Sequence, residues 1–109
     1  MSDNLLEKFY LVTEEKSRLE LIELMLNEYE YYLDLVLSNV LDNKELRNNA
    51  YILNILSKKK RVNEYLKVKF TKKHFEILVN DGDSKTRKNT YIFMGNFINV
   101  YYLRCYYIN

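Results

Sequence analysis

Residues 47–53 read Arg-Asn-Asn-Ala-Tyr-Ile-Leu, and residues 87–93, forty positions later, read Arg-Lys-Asn-Thr-Tyr-Ile-Phe. Four of these seven positions carry the same residue in both copies, and a turn bearing Asp or Asn precedes each copy, at 41–43 and at 81–83. Self-similarity at a period of roughly 20–50 residues is typical of stacked structural repeats. The motif therefore predicts a repeat protein that binds partners along a surface, a function that needs no catalytic pocket.

Apolar residues recur at helical spacing along most of the chain, which has no proline and two glycines. The fold class predicted from this pattern is all-α. Short polar side chains are expected to cap four of the helices, at Thr13, Asn43, Thr71 and Asp83. We expect Gly82 to take the left-handed conformation that often follows a helix end.

The length of 109 residues suits one domain with a single core. We divide it into N-terminal capping helices at 1–27, a first repeat at 28–57 and a second repeat at 63–97. Residues 98–109 form an apolar tail that either folds back onto the core or begins a further repeat. The basic residues 58–61 are expected in a turn or a frayed helix end, where cations favour the carbonyl end of the helix dipole.

Residues 83–97 resemble the second helix of a HEAT repeat. They contain an Asp in the turn, Thr86-Arg87 at the helix start, small residues next, and Met94-Gly95-Asn96-Phe97 at the end. The first copy has Asn43 in place of the turn Asp, and Asn54-Ile55 in place of Met94-Gly95. Together with the helices that precede them, the two copies cover roughly residues 28–97.

The resemblance implies a short right-handed HEAT-like α-solenoid of stacked antiparallel helix pairs. In such arrays the turn Asp and the Arg at the helix start link adjacent repeats by hydrogen bonds. The residues assigned this structural role are Asn43, Arg47, Asp83 and Arg87. Physical chemistry favours the same role, because an Asp or Asn caps a helix and a buried Arg needs a carboxylate or carbonyl partner.

Few residues suited to catalysis or metal binding are present. The chain has one histidine, His74, and one cysteine, Cys105, which is too few for a zinc site with the usual spacing. We expect His74 to be a partly exposed helical residue. Gly82 and Gly95 are isolated, so no phosphate-binding loop is encoded. We therefore expect no enzyme activity, no cofactor and no metal.

The compartment is inferred from segments that the sequence lacks. The single cysteine favours a reducing cytoplasm, since it cannot form an internal disulfide. The first residues do not have the composition of a signal peptide, and no apolar run approaches the roughly 20 residues of a membrane span. A cytoplasmic protein without a membrane partner is the expectation.

Charge is divided unequally along the chain. Residues 1–56 hold five Lys/Arg and eleven Asp/Glu, a net charge of −6, and residues 57–109 hold twelve and four, a net charge of +8. Cations interleaved with Tyr65, Phe70 and Tyr91 are typical of nucleic-acid binding. The candidate nucleic-acid-binding residues are Lys58, Lys59, Lys60, Arg61, Lys67, Lys69, Lys72, Lys73, Lys85 and Lys88. The alternative is a solubilising surface whose aromatic residues turn inward.

The leading functional hypothesis is a non-enzymatic helical-repeat scaffold that presents a helix surface to a protein partner. The alternative is nucleic-acid binding by the basic half, with RNA favoured over DNA. Some HEAT-like arrays bind nucleic acid or serve as appendages of RNA-modifying enzymes, so this alternative rests on analogy of fold.

Overall fold

The computed structural model describes residues 2–97, with side chains described for 5–96. These residues form seven α-helices and no β-strand, which confirms the predicted all-α class. The helices are α1 Ser2–Leu11, α2 Glu15–Leu26, α3 Tyr29–Leu41, α4 Leu46–Leu56, α5 Lys60–Lys69, α6 Lys72–Val79 and α7 Ser84–Phe97. The apolar tail expected at 98–109 lies outside the described residues.

The helices surround one apolar core. Helix α3 packs against α4, α5 and α6, while α1 and α2 pack together and α2 also contacts α3 and α4. The most extensive contact between any two helices joins α4 and α7, which carry the two copies of the motif. Fully buried members of the core include Phe9, Ile22, Leu33, Leu53 and Leu66. The radius of gyration is 13.2 Å, close to the ~13 Å expected of a compact chain of about 100 residues.

Helices α4 and α7 run in the same direction. Near their first turns, the positive charge of Arg47 lies close enough to Asp83 to help lower the pKa of that carboxyl. Near their last turns, Asn96 donates a hydrogen bond to the hydroxyl of Ser57 at 3.1 Å. The two motif copies therefore lie side by side, with corresponding ends together.

The expectation that Asn43 caps α4 is wrong, because Asn43 ends α3 instead. Its φ of 58° is left-handed. Its N–H donates to Val40 O at 3.1 Å, and the next N–H, of Lys44, donates to Asn39 O at 2.9 Å. This pair of bonds is the Schellman arrangement that closes a helix C-terminus, and Asn is one of the residues that tolerates its left-handed position. Helix α4 starts later, with Glu45 at its N-cap position and no side-chain cap bond.

The expectations for Thr13 and Gly82 are also wrong. Glu14 occupies the N-cap position of α2, without a side-chain cap bond, so Thr13 does not cap this helix. Gly82 does not have a positive φ. The reversal before α7 is closed by the Asp81 carboxylate, which accepts the N–H of Asp83 at 2.9 Å, so a left-handed residue is not needed there.

Only half of the basic run 58–61 lies in a turn. Lys58 and Lys59 follow α4, whereas Lys60 and Arg61 form the first turn of α5. A cation is unfavourable near a helix N-terminus. Arg61 has other partners: its guanidinium lies 5.4 Å from the centre of the Tyr29 ring and donates to Leu26 O at 3.4 Å.

His74 is buried, with 5% of its surface exposed, so the expectation of a partly exposed residue is wrong. Its Nδ1 accepts the backbone N–H of Thr71 at 3.0 Å, and Thr71 Oγ1 accepts the N–H of His74 at 3.3 Å. These reciprocal bonds form a capping box at the start of α6. The ring also stacks on Phe70 and hydrogen-bonds the backbone of Leu37 in α3. Burial lowers the pKa of His74, so the ring is neutral at neutral pH.

Candidate functional site

A cleft of about 580 Å³ opens between the N-terminal halves of α4 and α7 and the start of α2. Its volume falls in the range of ~300–1,000 Å³ that is usual for ligand sites. The residues that line it are Thr13, Arg18, Arg47, Asn48, Tyr51, Lys85, Lys88, Asn89 and Ile92. Most of them belong to the two motif copies or to the turn of helix just before the second copy.

Helical periodicity explains why these side chains face the same space. Residues 85, 88, 89 and 92 follow the i, i+3, i+4, i+7 pattern, which places them on one face of α7. The opposite face, including Thr86, Thr90 and Phe93, is fully buried in the core. In α4, residues 47, 48 and 51 share a face in the same way, while Ala50 and Leu53 are fully buried. Packing of the apolar faces therefore directs the polar faces of both copies into the cleft.

The cleft is strongly basic. Four cations from three helices line it, namely Arg18, Arg47, Lys85 and Lys88. Among the described residues that line it, none is acidic. Bringing like charges together costs folding free energy through their mutual repulsion. An anion bound between them would remove that cost, so the arrangement is chemically suited to anion binding.

Arg18 and Tyr51 hold each other in position at the α2 side of the cleft. The Nε of Arg18 donates to Val12 O at 3.2 Å, and its guanidinium carbon lies 5.9 Å from the centre of the Tyr51 ring. The same ring stacks on Phe9, with centres 5.9 Å apart. The Tyr51 hydroxyl donates to Glu15 Oε1 at 2.6 Å. Desolvation, followed by this bond, raises the pKa of Tyr51 to about 12, so the hydroxyl keeps its proton.

Asp83 caps α7 at the other side of the cleft. Its Oδ2 accepts the backbone N–H of Thr86 at 2.8 Å and the Thr86 hydroxyl at 2.9 Å. These bonds, and then the nearby charges of Arg47 and Lys85, lower the pKa of Asp83. The Arg87 Nη1 donates to Asp81 O at 2.7 Å, so it braces the turn before its own helix. That Asp83 and Arg87, with Asn43 and Arg47, link adjacent repeats stays a prediction from the resemblance.

A network of asparagines joins α4 to α7 beside the cleft. Asn54 Nδ2 donates to Asn89 Oδ1 at 3.2 Å. Asn96 Nδ2 lies within bonding distance of Asn54 O, Asn54 Oδ1 and Ser57 Oγ, at 3.1, 3.2 and 3.1 Å. Asn63 of α5 donates to Asn96 O at 3.3 Å. Asn54, which departs from the HEAT pattern, therefore lies where the two helices are joined most closely by polar bonds.

Most of the candidate nucleic-acid-binding residues lie outside the cleft. Only Lys85 and Lys88 line the cleft, and the other eight lie elsewhere. Lys58 follows the far end of α4, eleven residues after Arg47, a separation of about 16 Å along the helix axis at ~1.5 Å per residue.

Several of these remaining cations have partners on their own surface. Lys67 lies 3.4 Å from Glu64 and Lys72 lies 4.0 Å from Glu76, while Lys69 lies over the Tyr65 ring at 5.6 Å. Tyr65 also donates to Asp34 Oδ1 at 2.9 Å. Phe70 is buried at 2% exposure. Two of the three aromatic residues expected to interleave with the cations are thus held by the protein, and Tyr91 is 54% exposed.

Sequence reasoning missed half of the cleft. Arg18 comes from the acidic half of the chain and carried no signal in the sequence. Arg47 was assigned to the scaffold, although its side chain is exposed and lines the cleft. The motif did not identify Tyr51 and Asn89 as lining residues, because their counterparts forty positions away, Tyr91 and Asn49, do not line the cleft.

Within 2–97 no group of three or more His, Cys, Asp or Glu is arranged to hold a metal ion. No helix in the same range is long and apolar enough to cross a membrane.

Comparison of the chain with protein-family models, with curated proteins and with solved structures finds no match. The class of protein is therefore defined by fold and site alone: an all-helical domain with a basic cleft between two similar parallel helices.

Proposed function

We propose that the chain is a non-enzymatic, cytoplasmic helical-repeat module with the architecture of a short right-handed HEAT-like solenoid. In this proposal α3 and α4 form one helix pair, and α7 pairs with the shorter helices α5 and α6 to form the next. The observation that carries it is the parallel contact of α4 with α7, the helices that contain the repeated motif. The contact of α3 with α6 supports the same stacking, because the first helices of the two pairs also touch.

The proposed task of the module is to present the α2–α4–α7 face to a protein partner. Stacked repeats form extended concave surfaces that bind partners. The basic cleft lies between the two copies of the motif, since residues 47, 48 and 51 of one copy and 88, 89 and 92 of the other line it. Exposed apolar side chains beside it, Tyr91 at 54% and Ile92 at 41%, add the aromatic and aliphatic area common at protein interfaces.

The test is capture of partners from the source cell, with nuclease treatment and cross-linking to map the contact. The matched bait proteins are wild type, a Lys85→Glu/Lys88→Glu variant of the cleft, and a Lys67→Glu/Lys69→Glu variant on α5. All four lysines are exposed, so neither variant is expected to unfold the domain.

The proposal expects a protein that survives nuclease treatment, cross-links to α4 or α7, and is lost only with the cleft variant. Association that depends on nucleic acid, or that both variants retain equally, would contradict it.

Nucleic-acid binding is the second candidate, and one observation favours it. All ten candidate Lys and Arg side chains are exposed. The test is fluorescence anisotropy with single- and double-stranded RNA and DNA at two salt concentrations. This candidate requires a complex tighter than the ~10⁻⁴–10⁻⁶ M of non-specific attraction, with affinity that falls steeply with salt. It also requires that reversal of Lys58, Lys59, Lys60 and Arg61 to Glu abolishes the complex.

A further inference from the structure

We infer that the basic cleft binds the phosphate group of a phosphorylated segment of a partner protein. This inference rests on the proposed protein-binding function and names the chemistry of the partner. Two arginines and two lysines from α2, α4 and α7 surround one concave space. A phosphorylated side chain carries a charge of about −1.5 to −2 and three acceptor oxygens at neutral pH, which such a cluster can neutralise at a single point.

The arginines have the geometry that phosphate recognition requires. A guanidinium donates two parallel hydrogen bonds to a phosphate, and it is most effective when its plane is already held in place. Arg18 meets this condition, because the Val12 carbonyl accepts its Nε at 3.2 Å and the Tyr51 ring lies beside it. The Nε bond leaves both terminal nitrogens of the guanidinium for a ligand. Arg47 is exposed at the cleft wall and supplies a second guanidinium.

The surroundings favour one compact anion over an extended nucleic-acid backbone. Carboxylates border the cleft on two sides, with Glu15 bonded to Tyr51 and Asp83 near Arg47. A strand that continued past the cleft would bring further phosphates toward these negative charges, whereas a single phosphate would stay among the cations. Single-stranded nucleic acid also needs exposed rings on which bases stack. Tyr51 is the aromatic residue in the cleft lining, and its ring does not serve that purpose, because Phe9 stacks on it and the Arg18 guanidinium lies beside it.

The peptide that carries the phosphate has polar and apolar neighbours to contact. Asn48 and Asn89 place amide groups in the lining, and Ile92 adds an apolar side chain that is 41% exposed. Amide side chains both donate and accept, so they can bond the backbone of a bound segment. The cleft thus combines a charged anchor for the phosphate with a wall suited to a peptide.

The experiment is an NMR titration of the isotope-labelled full chain at physiological ionic strength. The probes are a short peptide library with a central phosphoserine, the same library with serine, and oligo-dT of equal length. The phosphoserine library is expected to shift the backbone signals of Arg47, Lys85 and Lys88 and the Nε–H signals of both arginines. The serine library should bind at least about tenfold more weakly, a difference that one charge-assisted contact can supply.

Variants test whether the cations act as assigned. Arg47→Ala and Lys88→Ala should each weaken phosphopeptide binding by about tenfold, while Lys67→Ala on α5 should leave it unchanged. Arg47→Lys should recover only part of the affinity, since an ammonium cannot form the paired bonds of a guanidinium. Circular dichroism of each variant checks that the fold is retained.

Three results would overturn the inference. They are equal binding of the serine and phosphoserine libraries, shifts centred on residues 58–61 instead of the cleft, and oligo-dT binding at the cleft as tightly as the phosphopeptides. Partner capture and this titration fail independently of each other. If a protein partner depends on the cleft but phosphopeptides do not bind, the result would support the proposed function and contradict only the inference that the ligand is a phosphate group.

Discussion

The side-chain amide of Asn96 in α7 donates to both the backbone carbonyl and the side-chain oxygen of Asn54 in α4, at 3.1 and 3.2 Å. The two residues are 42 positions apart in sequence, and Asn54 is 6% exposed. Buried amides that satisfy each other hold two helices in one register, because sliding either helix would leave the amides without partners. This contact joins the two copies of the motif.

The first prediction follows from that contact. Asn54→Ala removes the donor to Asn89 Oδ1 and one of the acceptors of Asn96 Nδ2, while Asn54 O and Ser57 Oγ still accept from Asn96. Each lost hydrogen bond contributes about 0.5–1.5 kcal/mol. We expect the free energy of unfolding, measured by urea denaturation, to fall by about that amount. The control is Asn80→Ala, whose hydrogen bond to Glu76 O is exposed, with an expected change within ~0.5 kcal/mol. Equal effects of the two substitutions would show that the network contributes nothing.

A second prediction concerns pH and His74. Burial lowers the pKa of His74 below its ordinary value of 6.5. As pH falls, His74 therefore takes up a proton at a higher pH in the unfolded chain than in the folded chain. The contribution of His74 to stability is therefore fully present above pH 6.5 and is lost as pH falls through the lower, folded pKa. Protonation also removes the Nδ1 acceptor that closes the capping box with Thr71.

The measurement for His74 is the free energy of unfolding as a function of pH, in the wild type and in His74→Gln. Glutamine at this position of a capping box keeps an acceptor but does not titrate. We expect the wild type to lose stability relative to the variant as pH falls below 6.5. Parallel pH profiles of the two proteins would mean that His74 does not titrate in this range.

The third prediction separates the helix-capping hydrogen bond of Asp83 from the effect of its negative charge. Asp83→Ala removes the acceptor for the Thr86 amide and should lower the melting temperature. Asp83→Asn keeps an N-cap acceptor, so most of the loss should be recovered at neutral pH. Because the folded pKa of Asp83 is lowered, the wild-type advantage over Asp83→Asn is present above the ordinary value of 3.8 and disappears as pH falls through the folded value.

Arg87→Ala is the companion measurement for Asp83. This substitution removes the bond to Asp81 O and should also lower the melting temperature. If the melting temperature stays unchanged and partner binding is abolished, Arg87 is a binding residue and not a structural one.

Replacement of glutamate by glycine is predicted to have opposite effects on the free energy of unfolding at Glu45 and at Glu23. Glu45 has a φ of 51°, a left-handed conformation that costs a non-glycine residue roughly 1–2 kcal/mol. Glu45→Gly should therefore raise the free energy of unfolding, by up to about 1 kcal/mol. Glu23→Gly, at an exposed position inside α2, should lower it by about 1 kcal/mol, since glycine is a poor helix former. Loss of stability in both variants would contradict the left-handed assignment.

Gly95 provides a prediction of added stability. It lies within α7, and a Cβ built there meets no atom of the other described residues within 4 Å, its own helix backbone and chain neighbours aside. Gly95→Ala should raise the free energy of unfolding by about 0.5–1 kcal/mol, because alanine loses less backbone freedom in a helix. Thermal and urea denaturation measure the change. A decrease would reveal packing against Gly95 that the open space around it does not indicate.

The sequence alone was sufficient for the features set by local chemistry. Helical spacing of apolar residues predicted the all-α class, since one face of each helix must be buried. The Thr71 and Asp83 side chains cap helices as expected, because a cap depends on residues only three positions away. The two copies of the motif lie in α4 and α7, which contact each other, and their structural relation as repeats stays a prediction.

The sequence-based expectations for two individual residues, Asn43 and His74, were wrong. Asn43 was expected to begin α4, but its left-handed conformation ends α3, and both roles suit an asparagine. His74 was expected to be partly exposed, because its neighbours in sequence are charged. Its ring instead lies between the start of α6 and α3, a position decided by how those helices pack.

Only the tertiary structure decided where the basic charge is concentrated. The sequence placed it in the second half of the chain, whereas the cleft draws Arg18 and Arg47 from the acidic half and Lys85 and Lys88 from the basic half. Net charge along a chain adds up neighbours in sequence, but an anion responds to charges that are close in space. The parallel packing of α4 on α7 brings those four side chains together, and the burial of the apolar faces determines that packing.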